Sequence, residues 1–270
     1  NKNGGTLTLA TRRIDVNKSI FEPYKERPLT LAPDAFAGNE THRTKEKMID
    51  LGTWNLSIPV GSPPATIETK QLIQGYDGKY FKSGSSNVSF WVPVTGSKTA
   101  NAIYPRTELR ETWSNGTLHN WYYPDADNFL RAKLKVIQVP SSGKIVIGQI
   151  HCYGSTEPLI KLEYQYKEKT QTGNIVVKFR VTPTSEPEVI QIATGVLLKE
   201  RFTYTIHLTP TGNLTVNAHD MQWGSKLDAS WNGKPLYFKA GVYTQDNTGY
   251  ATEGGAATFY KLQISHDKKA

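Results

Sequence analysis

Leu130-Arg131-Ala132-Lys133-Leu134-Lys135-Val136 decides the fold class, because its even positions are apolar and its odd positions cationic. Successive side chains of a strand point to opposite faces, so a period of two describes a ribbon with one face in a core and one in solvent. Working outward, the pattern recurs. Residues 160–166 set Ile160, Leu162, Tyr164 and Tyr166 against Lys161, Glu163 and Gln165. Residues 175–181 are apolar at the odd positions, and residues 202–208 alternate in the same way. Turn formers separate these runs, among them Ser141-Ser142-Gly143, Pro210-Thr211-Gly212-Asn213 and Asn232-Gly233-Lys234-Pro235. No long stretch has apolar residues at helical spacing, and no repeat of fixed period appears. Many short strands between turns predict an all-β sandwich or barrel, not a parallel α/β sheet.

Composition agrees with a folded domain. Of 270 residues, 37% are hydrophobic and 11% aromatic, enough for a substantial core. Lys and Arg number 32 against 24 Asp and Glu, a net charge of +8, and the pI is near 9.3. That excess fits an anionic partner such as nucleic acid, a membrane surface or an acidic polysaccharide, or it serves solubility alone. Mean hydropathy is −0.49, and the lack of an apolar run of about 18 residues excludes a transmembrane helix. The single cysteine, Cys152, excludes an internal disulfide and a thiolate zinc cluster, and is expected to be an inert core residue. Residues 1–47 are the least patterned and read as an N-terminal extension of uncertain structure, followed by one β domain over 48–270. The start, Asn1-Lys2-Asn3-Gly4-Gly5, has no charged region leading into an apolar one, as in a cytosolic protein or a mature secreted one.

Three strand-like segments carry more than a solvated outer face. In Arg106-Thr107-Glu108-Leu109-Arg110, strand parity puts Arg106, Glu108 and Arg110 on one side. Gln149-Ile150-His151 pairs Gln149 with His151 and sends Ile150 and Cys152 the other way. In Tyr237-Phe238-Lys239-Ala240-Gly241-Val242-Tyr243-Thr244-Gln245, one face holds Tyr237, Lys239, Gly241, Tyr243 and Gln245, the other Phe238, Ala240 and Val242. Taken singly, each has a plain reading: an ion-pair ladder, a hydrogen-bonded histidine, a sheet aromatic. Together, if adjacent in one sheet, they build a basic floor of Arg, Gln, His, Lys and Tyr, with Gly241 leaving room for a ligand.

Those three blocks, in that order, resemble the signature motifs of the polysaccharide lyase family 7 alginate lyases. Residues 49–59 (Ile-Asp-Leu-Gly-Thr-Trp-Asn-Leu-Ser-Ile-Pro) are similar to that domain's opening strand. The resemblance spans roughly residues 48–267 and implies a β-jelly roll of two curved antiparallel sheets with a substrate cleft on the concave face. It implies a polyuronate substrate, which suits the basic charge, cleaved by β-elimination: the C5 proton leaves and O4 is expelled. The substrate carboxylate must be neutralised for C5–H to ionise, and preorganised donors do this best. The resemblance assigns that role to Arg106 and Gln149. His151, with an unperturbed pKa of about 6.5, then suits the base and Tyr243 the acid at O4. A Tyr243 pKa lowered by cationic neighbours would let the phenol serve as base too. Glu108, Arg110, Tyr237, Lys239 and Gln245 are expected to form the substrate-binding set, with Glu108 orienting the arginines and Arg110 and Lys239 holding neighbouring carboxylates or tuning Tyr243.

A glycoside hydrolase needs two carboxylates about 5–10 Å apart, and this floor offers Glu108 alone. A non-catalytic module binding acidic polysaccharide would use the cations and aromatics but has no need of Gln-x-His with Tyr-x-Gln. The expectations are therefore an endolytic lyase without cofactor or catalytic metal, secreted or periplasmic and monomeric, with no nucleic-acid or membrane partner. Within the family, Ile at the centre of Gln-x-His accompanies action on guluronate-containing stretches. Ile150 therefore implies preference for guluronate or mixed blocks, acting indirectly because it faces the core.

Overall fold

The computed structural model describes residues 49–268; the expectation for residues 1–47 lies outside them. Two antiparallel sheets make up the fold. The larger runs, edge to edge, β10 (Glu188–Val196), β9 (Thr172–Phe179), β8 (Ile160–Lys167), β7 (Lys144–Cys152), β14 (Leu236–Thr244), β5 (Arg106–Glu111), β1 (Trp54–Ser57) and β2 (Thr66–Ile67). The smaller runs β13 (Met221–Lys226), β12 (Asn213–Ala218), β11 (Phe202–Leu208), β6 (Asp127–Gln138), β15 (Gly254–Asp267), β4 (Val88–Pro93) and β3 (Phe81–Ser83). Among the described residues the only α-helix is the single turn α1 (Thr69–Ile73). The alternation predicts a sandwich or barrel, and the two-sheet jelly roll is the form that the family resemblance implies.

The alternation does what it promised. Leu130, Ala132, Leu134 and Val136 of β6 are buried, and they pack in one cluster with Ile160, Leu162 and Tyr164 of β8 and Ile175 and Val177 of β9. Each fully buried Leu, Ile or Val contributes about 1.5–3 kcal/mol, so the slab between the sheets dominates stability. Ile150 and Cys152 both lie in it, as parity requires.

Two bulges interrupt the centre of the larger sheet. The register between β7 and β8 shifts between Val146 and Gly148, and that between β14 and β7 between Ala240 and Tyr243. Bulges bend a strand and re-aim its side chains, and these two flank Gln149. Gly148 makes room for the opposite sheet: a Cβ there would stand 2.6 Å from the Tyr204 hydroxyl, which donates to the Ile147 carbonyl at 2.8 Å. Gly241 corrects an expectation. Its φ is +141°, and a Cβ would meet the Thr107 carbonyl oxygen at 2.8 Å and Glu108 Cα at 2.9 Å. The glycine is required by the backbone of β5 and not by a ligand.

Candidate active site

β7, β14 and β5 are consecutive neighbours in the larger sheet, so the three blocks do form one surface. Tyr237 pairs with His151 and Lys239 with Gln149 across β14 and β7. On its other side, Lys239 pairs with Arg110, Gly241 with Glu108 and Tyr243 with Arg106. The surface floors a cleft of about 400 Å³ whose walls include Arg106, Glu108, Arg110, Gln149, His151, Tyr237, Lys239 and Tyr243. Gln245 is not among them. It follows the end of β14, and its amide nitrogen turns back to the carbonyl of Thr244 at 3.0 Å.

Glu108 is the hub, and it sits beneath the floor with its side chain fully shielded. One oxygen takes Arg106 Nη1 at 2.8 Å and Lys239 Nζ at 2.7 Å. The other accepts from Gln149 Nε2 at 2.7 Å. Burial alone would push this carboxyl up, but Lys239 and Arg106 outweigh it and hold the pKa at about 2. Glu108 thus orients one arginine, a lysine and a glutamine, not the two arginines its sequence position suggested. Arg110 is held elsewhere, by the carbonyls of Glu111 at 2.5 Å and His119 at 2.9 Å and by the Asn120 side chain.

Each arginine lies over a tyrosine. The Arg106 guanidinium is 3.8 Å from the Tyr243 ring centre and that of Arg110 is 3.7 Å from Tyr237, a cation–π arrangement that fixes both planes. Arg106 Nε is buried without a hydrogen-bond partner. Burial raises the Tyr243 phenol, and Arg106 offsets this only in part. The expectation of a lowered Tyr243 pKa is therefore corrected: the phenol keeps its proton at neutral pH. His151 moves the opposite way, since burial and then Lys239 take its pKa down to about 3, with Arg106 a smaller contributor. The ring is neutral, and its Nδ1 lies 2.9 Å from the Cys152 N–H and 3.1 Å from the Cys152 carbonyl. Lys239 falls to about 8 through burial and the neighbouring Arg106.

The sheet also contributes residues that the sequence reading left unassigned. β1 pairs Asn55 with Arg110 and Ser57 with Glu108, and both line the cleft. Lys161 of β8 pairs with Gln149 and carries the basic floor outward. All three stand at the polar positions of alternating strands; what was missing was the knowledge of which strands lie side by side. A second carboxylate, Glu157, reaches the wall from the loop before β8, where it is ion-paired with Arg180.

Behind Arg110 lies a second buried carboxylate. Among the described residues, Glu111, His119 and His266 bring three metal-type ligand atoms within 4.8 Å. One Glu111 oxygen faces His119 Nδ1 at 3.1 Å and His266 Nε2 at 2.5 Å. The other accepts from Trp121 Nε1 at 2.7 Å and the Phe238 N–H at 2.9 Å. None of the three is part of the cleft wall. His266 comes from the smaller sheet, so the cluster ties the two sheets together beneath Arg110.

Comparison with known proteins fits this site. The family model described as alginate lyase matches residues 49–266. A crystal structure of an alginate lyase from Pseudomonas aeruginosa is 42% identical, with a TM-score of 0.78, covering 81% of this chain and 100% of the other. Alginate lyase A1-II′, a member of polysaccharide lyase family 7, is 30% identical with a TM-score of 0.72, over 83% of this chain and 98% of its own. A curated alginate lyase from Klebsiella pneumoniae is 31% identical over 80% of this chain and 89% of its own length. With a family match across the whole described sandwich and the three blocks assembled into one basic cleft, the chain belongs to the alginate lyases of polysaccharide lyase family 7.

Proposed function

We propose that this chain cleaves alginate endolytically by β-elimination and prefers guluronate or mixed stretches. The observation that carries the reading is the opposite state of two groups in one cleft. His151 is held neutral and Tyr243 is held protonated, so a proton acceptor and a proton donor share a floor of cations. A hydrolase would need a carboxylic acid that stays protonated. Glu108 is ionised and occupied by three donors, and Glu157 is paired with Arg180.

In this mechanism the uronate carboxylate enters beside Arg106, Gln149 and Lys239, all of which line the cleft. His151 takes the C5 proton and the Tyr243 phenol protonates the departing O4, leaving a C4–C5 double bond. A histidine with a pKa of about 3 is a weak base in the empty cleft. Burial is the larger cause and persists on binding; a substrate carboxylate offsets only the part that Lys239 and Arg106 contribute, so binding raises the basicity of His151 in part. In guluronate the C5 proton and O4 lie on opposite sides of the ring, which suits two separate groups. Variants of A1-II′, 31% and 30% identical to this chain, are described with a GGG product and a GGMG substrate, ligands of the guluronate-rich and mixed kind proposed here. The long open floor running from Asn55 to Lys161 supports internal cleavage of a threaded chain.

Incubation of the protein with guluronate, mannuronate and mixed blocks, followed in the ultraviolet and by viscosity, tests the proposal. The expected result is unsaturated product, an early fall in viscosity, and faster initial turnover on guluronate than on mannuronate blocks. Faster turnover on mannuronate overturns the preference, and absorbance rising without early loss of viscosity overturns the endolytic mode.

A further inference from the structure

The alternation that decides the fold also leaves a surface the cleft does not use. Arg131, Lys133 and Lys135 of β6 point away from the core, in the middle of the smaller sheet and on the side of the sandwich opposite the cleft. Lys133 lies directly across from Lys261 of β15, a like-charge pair that disfavours the sheet. Lys135 and Arg201 both approach the Tyr260 ring, at 5.8 and 3.7 Å from its centre. Beside them runs a groove of about 450 Å³ with Lys79, Lys82, Tyr80, Trp91 and Tyr260 among its walls and no acidic residue. Of these cations, Lys82 alone has an ion pair among the described residues, with exposed Asp77 at 3.5 Å.

Cations on adjacent central strands, most of them without an ion pair among the described residues and interleaved with aromatic rings, are the composition of a polyanion site with flat faces to stack on. We infer that this face is a second, non-catalytic site for acidic polysaccharide, holding one stretch of the polymer while another occupies the cleft; the ligand class rests on the function proposed above. Neighbouring strands are about 4.8 Å apart, so a chain lying across them meets charge on several strands in succession. Two sites on one polymer raise its effective concentration at the cleft.

The test is a triple variant, Lys133→Gln, Lys135→Gln and Lys261→Gln, beside the Lys→Arg triple that keeps the charge. Affinity electrophoresis in alginate gels, with Tyr243→Phe added to every protein to slow cleavage, reads binding without turnover. Steady-state kinetics, in the native-Tyr243 background, compare polymer with a tetrauronate too short to span both faces. Expected is at least a fivefold loss of gel retardation for the Gln triple and retention for the Arg triple. The Gln triple should also raise KM on polymer severalfold while kcat/KM on tetrauronate stays within twofold. Unchanged retardation in the Gln triple overturns the inference, as does a tetrauronate loss equal to the polymer loss. Single-stranded DNA that displaces the protein as well as polyuronate, charge for charge, overturns the ligand assignment. Loss of all unsaturated product in the unmutated protein would sink the proposed function, while the retardation arms still decide the second site.

Discussion

Replacing Glu108 by glutamine keeps the shape of the hub and removes its charge. Arg106, Lys239 and Gln149 all donate to this carboxylate at 2.7–2.8 Å; an amide offers one acceptor oxygen and turns an N–H toward the donors. Breaking a buried charge pair from one side costs about 3–5 kcal/mol. The carboxyl's own displacement agrees in size: from 4.5 to about 2, at about 1.4 kcal/mol per pH unit, it amounts to about 3 kcal/mol. For a domain of this size each kcal/mol moves Tm by about 2–4 °C, so Glu108→Gln should melt roughly 6–20 °C lower at pH 7. The folded pKa lies below the unfolded one, so this stability is fully present above about pH 4.5 and is lost as pH falls toward 2. Calorimetry of both proteins at pH 7 and pH 3.5 should therefore show a gap that narrows in acid. Equal Tm values at pH 7, or a gap of the same size at both pH values, would refute the hub.

The pH dependence of kcat/KM reports the free enzyme. It should show no acid limb near 6.5, since His151 is already neutral there, and should fall above about pH 8 as Lys239 loses its proton; a profile flat to pH 10 counts against Lys239. His151→Ala and Tyr243→Phe should each lower kcat by about 10²–10⁴-fold with the melting curve unchanged, and near-native turnover of either on every block removes it from the mechanism. Cys152→Ser should leave kcat within about threefold, because the thiol is buried in the core and its pKa is raised by burial; a large loss would mean the thiol reaches the chemistry. Salt should raise KM more than it lowers kcat, as the floor's attraction for a polyanion is screened over about 8 Å at physiological ionic strength; a KM constant from low to high salt makes the floor structural.

Parity along a strand is local, so the sequence was sufficient wherever only parity mattered. Leu130 to Val136 announced a half-buried strand, Ile150 and Cys152 were correctly turned inward, and Arg106, Gln149, His151, Lys239 and Tyr243 were correctly turned outward together. Adjacency is not local. Only the folded sheet sets Asn55 beside Arg110 and Lys161 beside Gln149, and only the meeting of two sheets brings His266 to Glu111 across 155 positions. Charge states follow the same division. The sequence supplies the ordinary pKa of an imidazole or a phenol, but burial and the distance to Arg106 and Lys239 decide which way each moves. The expectations that failed, a lowered Tyr243, a ligand space at Gly241 and Glu108 as partner of both arginines, concerned surroundings built from other segments of the chain. Desolvation and steric closeness are properties of what stands nearby in space, and a linear chain does not specify that until its hydrophobic faces have paired.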